Sequence, residues 1–310
     1  MQAAGGRGAV SAVRVWLEER EVTGLCTQVS VEKTLEGAGS EAELRLVCAP
    51  MDAALPRLEP ACGQQVTVRQ EETVLFSGRV ERVSYDAAAL QLTLLAFDPA
   101  NLLARNHCRG PWQGTPAEIA RQICLECGLE AGSLWQGDGQ ETRLGAACGR
   151  TAFSAIRSLY GGEAVTQWED GRLSLYPRGR ERAVLQSGQL VALVARNTVE
   201  EAVTQAVVYS GGQEAARVTD REGLRRYGLR RREEYLSLKH ETAEKQARAA
   251  LQGAARQARL TLTGRSPVKC GQVVTLDKPL MGVYGDYLVE RVVWRCQAGM
   301  TTTQLEVSSL

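Results

Sequence analysis

The chain carries one short β pattern twice. Cys62-Gly-Gln-Gln-Val-Thr-Val68 returns as Cys270-Gly-Gln-Val-Val-Thr-Leu276, an offset of 208 residues. Phe76-Ser-Gly-Arg-Val-Glu-Arg-Val-Ser-Tyr85 returns as Gly285-Asp-Tyr-Leu-Val-Glu-Arg-Val-Val-Trp294, an offset of 209. The shared centre is Val-Glu-Arg-Val, at 80–83 and again at 289–292, and each copy is followed by a turn and another strand. A turn insertion accounts for the one added residue. Order, spacing and identity agree, so the pattern reads as a structural duplication. A trimer of such a chain displays six similar units around its axis and can mate with a six-fold tube without any catalytic residue. Strand edges in a ring pair with neighbours. The repeated positions Val80, Arg82, Val83, Val289, Arg291 and Val292 are therefore the candidate assembly interface.

The rest of the first section has the same two-residue period. Val13, Val15 and Leu17 alternate with Arg14, Trp16 and Glu18, which puts successive side chains on opposite faces. Strands are expected over residues 25–32, 42–47, 65–69, 74–85 and 90–97, the pattern of a small barrel or sandwich. From residue 106 the period changes. Thr115-Pro-Ala-Glu118 is a capping box with proline at the first helical position, and Ile119, Ala120, Ile123, Cys124 and Cys127 form one apolar face closed by Gly128. A second helix is expected over 151–160. Glu169-Asp-Gly-Arg172 then turns a hairpin. Beyond residue 198 strands return over 203–209, 214–218, 272–276, 286–294 and 301–307. A helix with an alanine stripe (Ala247, Ala250, Ala254, Ala258) is expected over 242–259. The expected fold class is mainly β with an α+β insertion. A β-barrel domain at 1–105 and a second at 199–310 flank a small α+β domain at 106–198.

The chemistry is sparse. Lys plus Arg is 37 against 36 for Asp plus Glu, a net charge of +1, which argues against coating nucleic acid or an anionic membrane. Only two histidines, His107 and His240, are present, too few for most acid–base and metal sites. Nine cysteines are an odd number spread thinly, unlike a secreted disulfide framework. The start, MQAAGGRGAVSAVRVWLEER, lacks the charged and apolar regions of a signal peptide. The longest aliphatic run, at 190–195, is far below the roughly 20 residues that span a bilayer. The chain is expected to be made in a reducing cytosol and to stay soluble there, with its cysteines acting as small apolar residues.

Cys124-Leu-Glu-Cys127, with His107 and Cys108, supplies four conceivable zinc ligands, but both helix cysteines lie on the apolar face and read as core packing. The arginine-rich run at 225–232 is neutralised by Asp220, Glu222, Glu233 and Glu234, the composition of a solvated or intersubunit charged face. Asp138, Glu163, Glu169 and Asp170 could supply a glycosidase pair only if two of them converge, and carboxylates in glycine-rich tips usually form turns. No G-x-S-x-G, Walker A or H-E-x-x-H sequence is present. No catalytic, cofactor-binding or metal-ligating residue is assigned, and the chain is not expected to be an enzyme.

The run Phe76-Ser-Gly-Arg-Val80, Leu92-Thr-Leu-Leu-Ala-Phe-Asp98 and Leu102-Leu-Ala-Arg105 resembles phage tail hub proteins of the XkdQ/YqbQ type. So do Thr115-Pro-Ala-Glu-Ile-Ala-Arg-Gln-Ile-Cys124 with Gly128, Thr151-Ala-Phe-Ser-Ala-Ile-Arg-Ser-Leu159, and Gly271-Gln-Val-Val-Thr-Leu276 with Gly285-Asp-Tyr-Leu-Val289. The resemblance covers nearly the whole chain through diffuse patterns. It implies a homotrimeric baseplate hub with two tube-type β-barrel domains, related to late control protein D and VgrG-like hubs. Such a hub joins the six-fold tail tube to the three-fold spike of a phage tail, tailocin or other contractile injection system. The partners implied are the tail tube protein, the spike protein, LysM-type or other baseplate proteins and the tape-measure protein, with no specific nucleic acid and no membrane insertion. Two other readings stay open: a peptidoglycan-directed hydrolase or cell-wall-binding subunit of the same apparatus, and a zinc-bearing nucleic-acid module.

Overall fold

Alternating burial builds the first sheet. The computed structural model describes residues 13–310 apart from 50, 53, 55–56, 146–148, 186–187, 237–241, 254 and 279–282. The chain opens with β1 (Val13–Leu17), β2 (Arg20–Glu21), β3 (Cys26–Thr34), β4 (Glu41–Val47), β5 (Gln65–Gln70), β6 (Thr73–Asp86) and β7 (Gln91–Phe97). In β4, Ala42, Leu44 and Leu46 are buried while the residues between them are not. β7 repeats the pattern with Leu92, Leu94 and Ala96. These side chains share one core with Val15, Leu17, Val29, Val66, Val68, Phe76, Val80 and Trp294. Each fully buried leucine there contributes about 1.5–3 kcal/mol.

The period then becomes helical. A short α1 (Leu102–Arg105) and β8 (Trp112–Gly114) precede α2 (Pro116–Glu126), β9 (Ala131–Leu134), β10 (Thr142–Leu144) and α3 (Ala152–Leu159). The capping box of α2 is complete: Glu118 N donates to Thr115 Oγ1, and Thr115 N donates to Glu118 Oε2 at 2.8 Å. Thr151 caps α3 by accepting from Ser154 N at 3.2 Å. The hairpin of β11 (Ala164–Glu169) and β12 (Arg172–Pro177) turns on Asp170 and Gly171, whose φ values of 49° and 78° are those of a type I′ turn. Ile119, Ile123 and Cys124 of α2 share a core with Ile156 of α3 and with Leu173 and Leu175 of β12.

The last part contains β13 (Arg182–Ala183), β14 (Leu190–Thr198), β15 (Gln205–Ser210), β16 (Gln213–Thr219), α4 (Arg221–Tyr227), β17 (Arg231–Tyr235), α5 (Ala243–Ala250), β18 (Ala255–Thr263), β19 (Val273–Lys278), β20 (Val283–Gln297) and β21 (Met300–Ser309). The helix expected over 242–259 ends at Ala250, and residues 255–263 form a strand instead. Alanine favours a helix, but Ala258, Leu260 and Leu262 recur every second residue and all three are buried, so tertiary burial overrides propensity. Only the front of the alanine stripe packs as a helix face, with Ala247 against Ala206 and Val208.

The protein is thus mainly β with large antiparallel sheets and an α+β insertion. The longest sheet follows the order β14-β18-β21-β20-β3-β4-β7-β6-β5-β1-β2, with β19 pairing β20 and β13. Among the described residues this is an open, branched sheet that ends at β14, β2 and β13, not a closed circle. The chain packs as two compact units. One holds residues up to Ala192 with Leu260–Val274 and Val289–Leu305. The other holds Leu193–Arg259, Thr275–Leu288 and Glu306–Leu310, and its sheet β16-β15-β17 carries α5.

Replacing Thr115 by alanine removes one acceptor of the capping box. It should lower stability by about 1 kcal/mol in urea titration, with Thr115→Ser close to wild type.

Candidate assembly interface

The duplication is physical as well as textual. Gly63 N donates to Val80 O at 2.7 Å, and Gly271 N to Val289 O at 2.8 Å. Val80 N donates to Gln64 O at 2.9 Å, and Val289 N to Gln272 O at 2.9 Å. The Gln64 side chain accepts from Ala61 N at 2.9 Å, as the Gln272 side chain does from Lys269 N at 2.9 Å. Cys62 Sγ lies 3.3 Å from Glu81 O, and Cys270 Sγ 3.6 Å from Glu290 O. Both glycines have positive φ, 91° and 82°, where a side chain is disfavoured. One clasp is built twice.

The sheet order repeats with it. Reading outward from each clasp gives β5-β6-β7-β4-β3 in one copy and β19-β20-β21-β18-β14 in the other. The two copies are joined where residues 291–297 of β20 pair antiparallel with residues 28–34 of β3. Trp294 lies opposite Val31 at this junction and is only 6% exposed. The matching residue of the first copy, Tyr85, is 47% exposed. β5 pairs with β6 only as far as Arg79, and residues 82–86 pair with β7 on one side.

The six candidate residues divide accordingly. Val80 and Val289 are 2% and 0% exposed, so they belong to the protomer's interior and shape the strands from within. Arg291 is already engaged, with its Nε and Nη2 each 2.6 Å from Glu32 carboxylate oxygens. Val292 is half-buried opposite Lys33. Arg82 is exposed and Val83 half-buried. The structure therefore brings Arg291 and Val292 onto β3 and gives Arg82 and Val83 no strand on the corresponding side among the described residues. Sequence reading missed Gly63, Gln64, Gly271 and Gln272 as the working parts of the motif, although all four stood in the repeated Cys-Gly-Gln.

The cation beside this junction is Lys33, half-buried on β3. Its Nζ donates to Gly37 O at 2.8 Å, Ala38 O at 3.2 Å and Thr166 Oγ1 at 3.4 Å. Burial lowers it to about 8, against the opposing pull of Asp98 and Cys270. Asp98 accepts from Ser40 N at 2.7 Å and Ala100 N at 3.0 Å. These bonds satisfy the polar groups of the loop after β3 and tie it to Thr166 on β11.

The remaining motifs resolve into structure. Burial pushes Cys124 up to about 12, with Cys127 adding to the shift. Burial likewise raises Cys108 to about 11, reinforced by Cys127 and Glu126. Such thiols stay protonated at neutral pH. His107 bridges to Thr151 through its backbone, while Cys148 and His240 lie outside the described residues. Among the described residues no group of three or more His, Cys, Asp or Glu side chains is placed to hold a metal ion. Arg231 bonds Gln205 at 2.8 Å and Arg232 bonds Glu234 at 2.9 Å, so part of the basic run is spent within its own sheet. Asp138 caps its own turn through Gln140 N at 3.0 Å. Glu169 is held by Lys269 and Tyr176, whose hydrogen bonds outweigh burial and keep its carboxyl below the usual range.

No protein-family model matches the chain, and no curated protein matches it. Solved structures do. The 43 kDa tail protein of prophage MuSo2 from Shewanella oneidensis is similar over 95% of this chain and 97% of its own, with TM-score 0.75 and 17% identity. A tail protein from Neisseria meningitidis MC58 matches 96% of both chains, with TM-score 0.70 and 13% identity. The E. coli c3393 protein is a component of the type VI secretion system with structural similarity to the T4 bacteriophage tail proteins gp27 and gp5. It matches over 96% of this chain and 76% of its own, with TM-score 0.56 and 9% identity. The chain has the fold of phage tail proteins, shared along almost its whole length.

The two clasps make unequal demands. A Cβ on Gly63 meets nothing within 4 Å, whereas one on Gly271 falls 2.5 Å from Val165 Cγ2. Gly63→Ala should cost about 1–2 kcal/mol for the positive φ alone, and Gly271→Ala distinctly more. Adding Val165→Ala to Gly271→Ala should restore part of the difference in denaturant titration, relative to Val165→Ala alone.

Proposed function

We propose that this chain is a structural baseplate hub subunit of a phage tail or contractile phage-tail-like particle. It acts as a homotrimer whose two repeated β units, one at each end of the chain, serve as tube-type barrel domains. Six such units make a pseudo-six-fold ring that receives the six-fold tail tube and passes the load to a three-fold spike. The observation that carries this reading is the doubled clasp with its doubled sheet order. The shared fold of tail proteins supports it, as does the printed description of a secretion-system component with the same fold.

In this reading the organisation is 1–105, 106–198 and 199–310, with the α+β section on the outside of the ring. Partners are further copies of the chain, the tail tube and spike proteins, other baseplate proteins such as LysM-type ones, and the tape-measure protein. Assembly takes place in the bacterial cytoplasm, and the product leaves as part of a tail. The hub is non-enzymatic: its work is symmetry matching by backbone edges and side-chain packing.

Quantitative mass spectrometry of purified tail-like particles containing the chain tests this reading. The expected result is three copies for every six subunits in one ring of tube protein. Absence from the particles, or a copy number that is not a multiple of three, contradicts it. Cell-wall zymography of the purified chain should give no clearing. A clearing band that disappears on Glu163→Gln or Asp170→Asn would overturn the non-enzymatic part.

A further inference from the structure

One strand-to-strand junction inside the chain has an unfilled twin. β20 holds β3 through seven residue pairs, Arg291 opposite Thr34 to Gln297 opposite Gln28. The clasp equivalence maps residues 291–295 of β20 onto residues 82–86 of β6, and the sheet order maps β3 onto β14. Among the described residues, residues 82–86 pair with β7 alone. β14 stands at one end of the long sheet, with β18 as its neighbour. Among the described residues the chain thus presents both halves of a second junction, unjoined.

The exposed side chains mark the same two strands. Val191 and Val194 of β14 are each 63% exposed, and Tyr85 of β6 is 47% exposed. Trp294, which occupies Tyr85's place in the joined copy, is buried in the core of the neighbouring repeat. Trp294 has β3 beside it, and Tyr85 has no such strand among the described residues. Unpaired edges with apolar flanks are unfavourable in water and template further pairing.

We propose that residues 82–86 of β6 in one copy pair antiparallel with β14 of the next copy, reproducing between chains the β20–β3 junction within each chain. This rests on the hub reading for the number of copies. It goes further in naming the seam and its occupant, a second copy of this chain. The contact is heterologous, one surface receiving a different one, so it closes into a ring when the rotation per copy allows and otherwise runs on as a filament. Tyr85 then enters the second repeat of the neighbour beside β14, as Trp294 enters the first repeat beside β3. Val191 and Val194 lose their exposure to the same contact.

The test places a benzophenone amino acid at Tyr85 in the full chain, irradiates the assembled protein and maps the cross-linked peptides. The expected product is a chain-to-chain link ending within Leu190–Thr198. The double variant Val191→Lys/Val194→Lys should lose that link and sediment as a monomer, with the circular dichroism of the wild type and the melting temperature of the dissociated wild-type chain, because both positions are exposed in the single chain. Links from Tyr85 to β6 of another copy, or to any other segment of an assembled oligomer, overturn the seam and leave the hub reading standing. An unlinked chain that stays monomeric at every soluble concentration overturns both.

Discussion

A β-strand edge is a row of backbone donors and acceptors, and leaving it unpaired away from water costs as much as losing the hydrogen bonds themselves. This chain meets that constraint once by folding. Residues 291–297 of β20 satisfy the outer edge of β3, Trp294 fills the core behind it, and Arg291 locks the pair through Glu32 at 2.6 Å. Everything that makes the molecule two repeats rather than two unrelated sheets passes through that junction. The clasps set where β6 and β20 begin their outward course, and the junction uses one of the two.

The polar interior serves the same end. Lys33 sits on β3 at the junction, opposite Val292, and directs its ammonium away from the edge to carbonyls of the following loop. Desolvation draws it down to about 8, against the pull of Asp98 and Cys270. Cys270 donates its thiol to Lys33 O at 3.0 Å, so the second clasp touches the first repeat directly. The first clasp has its own cysteine, Cys62, which is exposed. The asymmetry recurs at Gly63 and Gly271, of which only the second is crowded, and at Tyr85 and Trp294, of which only the second is buried. At these three pairs the second copy is the covered one, Cys270 and Trp294 by the first repeat and Gly271 by Val165 of β11.

Much of this was legible in the sequence because the repeat preserves identity where backbone geometry is demanding. Gly63 and Gly271 need positive φ, and Gln64 and Gln272 each close a turn, so Cys-Gly-Gln survives in both copies. The capping box at Thr115 and the Asp-Gly turn at Asp170 are equally local and read correctly. What failed was non-local. The helix bounds and the nature of the basic run depend on contacts far away in the chain. β14 has exposed residues on both faces, so its apolar run shows no period and passed for an aliphatic stretch. The basic run divides between α4, which holds Arg225 and Arg226, and β17, where Arg231 and Arg232 bond Gln205 and Glu234 within the sheet. The helix was drawn too long because alanine and arginine favour helices, while the burial of Leu260 and Leu262 is decided by distant strands.

The central claim is that the chain closes one repeat-to-repeat junction by itself and keeps the second for another copy. Hydrogen–deuterium exchange on the dissociated and assembled forms tests it most directly. The account predicts that residues 28–34 and 291–297 are protected in both forms, while β14 and residues 82–86 gain protection only on assembly. It is contradicted if assembly protects other segments while β14 continues to exchange at the rate of the free chain.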